Sequence, residues 1–208
     1  MPLRKPLHHC VFRAKELVNA EYRVARRQLP RVASYSMYIR RECPSDRDAV
    51  YSLLDAAFAD QAPPGETPYE IELTRQLFAS DEYLPKLSLV AEADGEILGF
   101  VIGTRGWVGE VEAVGLGPLA VTPENQRSGV GSALMHAVIG AADALDVPLL
   151  ALLGSTEYYP RFGFVTSTKV GVESPEAEWG AHFQIRTLSA HTPDQVGTFK
   201  YAAPFDMP

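Results

Sequence analysis

Three features of the 208-residue sequence predict an α/β sandwich, a mixed sheet covered by helices. Strand-like and helix-like apolar patterns alternate in the order strand, helix, helix, strands, helix, strand, helix, strands. Asp94-Gly95 separates two apolar segments, which is a hairpin signal. An apolar run over residues 116–121 leads into Gln126-Arg127-Ser128-Gly129-Val130-Gly131, and from there into a helical pattern. The length suits one domain with a sizeable core.

The elements follow in order. Residues 36–41 read as a first strand. Ser45 or Asp46 then caps a helix to about Ala59, with Val50, Leu53, Leu54 and Phe58 on one face. Ala62-Pro63-Pro64-Gly65 is a loop, and residues 69–79 form a second helix with Ile71, Leu73, Leu77 and Phe78 as apolar positions. Residues 87–93 and 96–104 form the hairpin. Residues 111–121 make a long central strand. Gly115, Gly117 and Pro118 suit a regular ladder poorly, so a bulge or splay is predicted there. Residues 129–144 form the third helix. Residues 148–153 are wholly apolar, as in a strand covered on both faces. A short helix is expected over 156–162, the start of a strand over 163–168, a loop over 172–182 and a last core strand over 183–188. The tail from Val196 carries Phe199, Tyr201 and Phe205, which are costly to leave in water, and it is expected to lie against the body.

Strand, glycine-rich turn and helix together make an anion-binding architecture. Glycines let the backbone crowd a phosphate, and successive N–H groups point inward with the positive end of the helix dipole behind them. A Walker A loop needs Lys after its glycines, and Val130-Gly131-Ser132-Ala133 has none. A dinucleotide fingerprint needs a third glycine, which is missing. Taken alone, the turn is open to a plainer reading as a tight helix start.

The wider context carries a resemblance. Leu119-Ala120-Val121-Thr122-Pro123-Glu124-Asn125-Gln126-Arg127-Ser128-Gly129-Val130-Gly131 resembles the acetyl-CoA pyrophosphate motif of the GNAT (Gcn5-related N-acetyltransferase) superfamily, Gln/Arg-x-x-Gly-x-Gly/Ala. Tyr158-Tyr159-Pro160-Arg161-Phe162-Gly163-Phe164 stands at the expected distance downstream. Met37-Tyr38-Ile39-Arg40-Arg41 before residues 46–58 resembles the family's opening strand and helix. The resemblance spans roughly residues 37–190 and is nearest to a bacterial predicted N-acetyltransferase subgroup. It implies the acyl-CoA N-acyltransferase fold, a mixed, mostly antiparallel sheet flanked by helices. It also implies that a bulge in the fourth strand opens a gap beside the fifth for the pantetheine arm.

By that resemblance acetyl-CoA is the co-substrate. Its pyrophosphate would be held by Gln126, Arg127, Ser128, Gly129, Val130, Gly131 and Ser132, through backbone N–H groups more than side chains. The backbones of Leu119, Ala120 and Val121 would pair with the pantetheine amides, and the Val121 N–H would polarise the thioester oxygen. Tyr159 matches the family's catalytic tyrosine, a proton donor to the departing sulfur, and also touches the cofactor. Tyr158 reads as a packing residue. Glu110 and Glu112 share one face at the start of the fourth strand and are the candidate bases. Many relatives carry Asn after the fifth strand, where this chain has Gly154-Ser155-Thr156. Ser155 either replaces its hydrogen bond or caps the following turn. His136, His182 and His191 form no metal-ligand pattern, and no metal is expected.

The formal net charge is −7. Residues 1–36 hold eight Lys/Arg against two Glu, and the remainder holds eleven against twenty-four Asp/Glu. An acidic body should repel nucleic acid and favour a cationic or neutral acceptor, a small-molecule or peptide amine such as a polyamine, an aminoglycoside or a protein N-terminus. Residues 1–36 are expected to be a basic extension, helical over 14–28 or partly disordered. Residues 37–190 are expected to be the catalytic domain and 191–208 a tail packed on it. Cys10 and Cys43 make no disulfide framework, and no secretory signal or membrane-spanning run is read, so a cytoplasmic protein is expected. A homodimer stays open. Two other functions also stay open: transfer from a different acyl-CoA, and a non-catalytic module that senses CoA.

Overall fold

The computed structural model describes residues 37–63 and 65–206, so the basic extension and Cys10 lie outside the described residues. The strands are β1 (Tyr38–Arg41), β2 (Tyr83–Ala93), β3 (Glu96–Val108), β4 (Val111–Val121), β5 (Leu149–Leu153), β6 (Val165–Thr166), β7 (Val172–Glu173), β8 (Phe183–Thr187) and β9 (Gly197–Lys200). The helices are α1 (Arg47–Phe58), α2 (Tyr69–Ala79) and α3 (Val130–Asp143). The main sheet runs β1-β2-β3-β4-β5-β8-β6. Its neighbours are antiparallel except β4 and β5, which run parallel. This is the mixed, mostly antiparallel sheet flanked by helices.

Local chemistry sets these elements. Asp94 (φ 53°) and Gly95 (φ 83°) both take left-handed conformations, which a two-residue hairpin turn between right-twisted strands requires. Apolar residues alternate across the sheet. Leu87, Leu89, Ala91 and Val101 face Leu134, Met135 and Val138 of α3. Val90, Phe100 and Ile102 face Val50, Leu54, Ile71 and Leu77 of α1 and α2. Each such side chain withdrawn from water contributes ~1.5–3 kcal/mol before entropy is counted. Because both faces are covered, the middle of β2 is a continuous buried run. No helix among the described residues is long and apolar enough to cross a membrane.

Several local expectations change. Asp46 does not cap α1, since its carboxylate is taken by Arg40 at 2.6 and 2.9 Å and by the Cys43 N–H at 2.9 Å. The expected helix over 156–162 is a turn and a short 3-10 segment, Tyr159–Phe162, with Pro160 inside it. Its end is set by Gly163 (φ 82°), where the Arg186 guanidinium donates to the Phe162 carbonyl. The strand expected next is only two residues long and gives way to a 3-10 turn at Ser167–Val170. Residues 172–182 are more than a loop: β7 opens them, and Trp179 is buried in a 3-10 turn, Ala177–His182. The tail enters the sheet. In β9, Phe199 pairs with Val108 of β3, and β9 runs parallel to β7. Phe199 and Trp179 join Phe183 and Val108 in a third apolar cluster.

One irregularity organises the rest. Opposite β3, Val101 pairs with Leu119 but Gly103 pairs with Leu116, so β4 carries one extra residue at Gly117-Pro118. Because a strand's side-chain period is two, the extra residue reverses which face each later residue meets. Val114 and Leu116 lie on the α3 side, and beyond the bulge Ala120 lies on the α1/α2 side. Meanwhile β4 pairs with β5 only at Val114–Leu150 and Gly115–Ala151. Beyond that point the two parallel strands part.

Candidate active site

The parted strands open a cleft of about 740 Å³ that runs from the N-terminus of α3 to the α1/α2 side of the sheet. At the α3 end Arg127 (φ 60°) and Gly129 (φ 103°) turn the backbone left-handed before the helix starts. The first helical bond is donated by Ala133 to the Gly129 carbonyl, 2.9 Å. The N–H groups of residues 130–132 therefore have no carbonyl behind them in the helix, and no side chain caps them. Donors aimed outward at a positive helix end make an anion cradle. A Cβ at Gly129 would meet nothing within 4 Å, so the site is open rather than packed.

The structure sorts the expected cradle residues. Gln126, Arg127, Gly129, Gly131 and Ser132 all line the cleft. The Gln126 amide donates to the Val121 carbonyl at 3.3 Å and ties the turn to the end of β4. Ser128 turns its hydroxyl away, donating to the Asn125 carbonyl at 2.5 Å, so its side chain shapes the turn and does not reach the cleft. Val130 buries its side chain in the core and has only its N–H to offer.

On β4, the Thr122 N–H donates to the Leu98 carbonyl of the hairpin at 3.0 Å. Backbone groups alternate along a strand, so Ala120 also faces β3, opposite Phe100, and Leu119 and Val121 face the gap. Leu119 and Val121 line the cleft. Ala120 is corrected: its backbone belongs to the sheet and its side chain to the α1/α2 core.

Across the gap, the chain after β5 is pinned from below. The Gln184 amide donates to the carbonyls of Gly154 (3.1 Å) and Ser155 (3.3 Å). The Ser155 hydroxyl accepts from the Glu157 N–H at 3.2 Å, so it caps the turn that delivers the tyrosine pair. Tyr158 and Tyr159 are perpendicular, with ring centroids 5.0 Å apart. Tyr158 lies over the start of α3, where a Cβ on Gly131 would stand 3.0 Å from its hydroxyl. It is therefore a wall of the cradle and not only a packing residue. Tyr159 lies flat against Gly154, whose Cβ would collide with the ring, and packs on Phe164. Burial pushes the Tyr159 phenol well above its ordinary value, and the neighbouring Tyr158 pushes it the same way. The hydroxyl keeps its proton at neutral pH and can donate it.

Residues 47–164 match the model of the Acetyltransferase (GNAT) family. The chain belongs to that family. A curated relative, the uncharacterized N-acetyltransferase YjhQ of Escherichia coli K12, is 35% identical over 99 residues, 46% of this chain and 55% of its own length. The matched stretch thus spans about half of that relative. Among solved structures, a GNAT acetyltransferase from Brucella melitensis in complex with acetyl-CoA is 30% identical, with a TM-score of 0.66, over 83% of this chain and 99% of that one. YhbS from Escherichia coli, in complex with CoA, is 23% identical with a TM-score of 0.75 over 87% and 96% of the two chains, and shares the fold.

The two expected bases, Glu110 and Glu112, do not line this cleft. Glu112 pairs with Arg105 at 2.8 Å and borders a different cavity, of about 730 Å³, beside residues 145–148. Glu110 is exposed in the β3–β4 turn. Both stand at the start of β4, and five residues of strand separate Glu112 from Gly117, about 17 Å at ~3.3 Å per residue. A carboxylate that the sequence did not single out, Glu70, lines the cleft instead. It is 6% exposed in the first turn of α2 and lines the far end of the cleft. Its signal was present: Glu70 falls on the buried stripe of α2, three, four and seven residues before Leu73, Thr74 and Leu77.

Proposed function

We propose that this chain is an acetyl-CoA-dependent N-acetyltransferase, moving the acetyl group directly to a primary amine of a small molecule or peptide. One observation carries the reading: a single cleft joins an anion cradle, a protonated tyrosine in a strand gap and a buried carboxylate. The acetyl-CoA bound by the 30% identical Brucella melitensis protein supports the choice of donor. Bound acetyl-CoA would supply a thioester whose carbonyl carbon accepts the amine.

The chain's own groups then have defined tasks. The N–H groups of residues 129–132, with Arg127, hold the pyrophosphate. The gap-facing backbones of Leu119 and Val121 take the pantetheine amides, and the Val121 N–H polarises the thioester oxygen. Glu70 takes a proton from the incoming ammonium, so that the nitrogen lone pair is free to form the C–N bond. As the C–S bond breaks, the Tyr159 hydroxyl gives its proton to the sulfur. The nitrogen sheds its second proton to solvent as the amide forms, Glu70 releases its own proton to solvent and the Tyr159 phenolate takes one back, so that one proton is released overall. Much of the rate would come from holding amine and thioester in line.

The test is calorimetric titration with acetyl-CoA, followed by an amine panel read by thiol release. Micromolar binding with amine-dependent release is expected. Binding without release for any amine would instead mark a CoA-sensing module, and faster turnover with propionyl- or succinyl-CoA would reassign the donor.

A further inference from the structure

The acceptor end of the cleft is furnished in a way the family match does not account for. Its wall is built from Phe58, Tyr69, Trp179, Tyr201 and Phe205, with Glu70 among them. Three of these rings lie beyond the matched residues 47–164. They come from the buried turn after β7 and from the tail after β9. Tyr201 packs between Phe205 (centroids 4.6 Å) and Trp179 (6.2 Å). It lies on the backbone of Gly115, where a Cβ would stand 2.6 Å from its ring. Its hydroxyl is buried and has no hydrogen-bond partner. Among the described residues that line the cleft, the charged ones are Arg127 and Arg161, on the side of the cradle, and Glu70, on the side of the rings.

We infer, on the basis of the transferase reading above, that this end selects a monoamine with an aromatic body, an arylalkylamine. Glu70 holds the ammonium and the rings hold the aryl group. An aromatic body gains edge-to-face contacts beyond its buried area, and the ammonium gains from ring faces as well as from the carboxylate. A polyamine or aminoglycoside would bring further charges against the rings, and Glu70 is the one carboxylate among the described residues that line the cleft. The acidic surface alone favoured such polycations, and the cleft reverses that preference.

Equilibrium binding to the full-length chain tests this, with and without coenzyme A, using ligand-observed NMR and tryptophan fluorescence in a Trp107→Phe background that leaves Trp179 as the reporter. The probes are 2-phenylethylamine, 2-phenylethanol and spermidine. 2-Phenylethylamine is expected to bind at least tenfold more tightly than spermidine. Tyr201→Ala and Phe205→Ala should each weaken it several-fold, and Glu70→Gln should erase its advantage over 2-phenylethanol. Spermidine binding as tightly as 2-phenylethylamine would overturn the inference, and so would unchanged affinity in both ring variants, each checked for folding by thermal melt. If the preference holds but no thiol is released from acetyl-CoA, the amine site stands and the transferase reading fails.

Discussion

Gly154→Ala should disable the reaction while leaving the cofactor site intact. The backbone at Gly154 does not need the left-handed region, so alanine is not excluded by φ. What excludes it is Tyr159. The added Cβ would sit 2.8 Å from Cδ2 of that ring and closer still to Cε2. Carbon atoms rest at ~3.5–4.0 Å, so the ring must retreat by about 1 Å. The ring has little room, since Tyr158 and Phe164 pack edge-on against it. Overpacking of this kind costs ~1–3 kcal/mol, which lowers the melting temperature by ~2–12 °C in a domain of this size. A misplacement of ~1 Å in a catalytic group can cost on the order of 100-fold in rate. The assay is kcat by thiol release with the best amine, beside the calorimetric Kd for acetyl-CoA. A kcat within twofold of the parent, in a variant whose melting temperature has fallen as expected, would refute the placement of Tyr159 at the reacting sulfur.

Three further outcomes are expected. Gly129→Glu puts a side chain on a φ of 103° and a negative charge into the cradle, so calorimetry should show acetyl-CoA binding lost while the melting transition remains cooperative. Tyr159→Phe keeps the ring and removes the proton; kcat should fall ~100-fold with Kd nearly unchanged, and in the parent kcat should hold on the alkaline side past the ordinary tyrosine value of 10.0, because burial raises this phenol. Asp46 is held below its ordinary value of 3.8, first by its hydrogen bonds to Arg40, so its contribution to stability is present above pH 4 and is lost as pH falls through the lowered value; the melting-temperature gap between the parent and Asp46→Asn should therefore be widest near neutrality and narrow below pH 4, and a gap independent of pH would contradict the ion pair.

Patterns of short range were legible in the chain. Apolar periodicity set α2 and β4 to the residue, because each buries one face on a neighbour and the repeat is local. Asp94-Gly95 set the hairpin, since few residues tolerate its two positive φ angles. Gly117-Pro118 announced the irregularity in β4, since proline cannot serve a regular ladder and the extra residue falls there. The glycines before α3 announced the cradle for a similar reason.

Groups that meet across the fold were not legible. Glu112 was read as a candidate base from its place at the start of the fourth strand, and only its pairing with Arg105 and its distance from the bulge set it apart from the cleft. Ala120 looked equivalent to its neighbours until the register of β3 against β4 showed which backbone groups were already taken. Tyr201 and Phe205 were expected to lie against the body, as they do, but that they meet α2 and Trp179 follows only from the pairing of the sheet. By itself the sequence determined the anion cradle before α3, because its backbone conformation is written within one contiguous turn. Only the tertiary structure decided the aromatic wall at the other end of the cleft, because it is assembled from segments more than a hundred residues apart, and their meeting depends on how the sheet pairs.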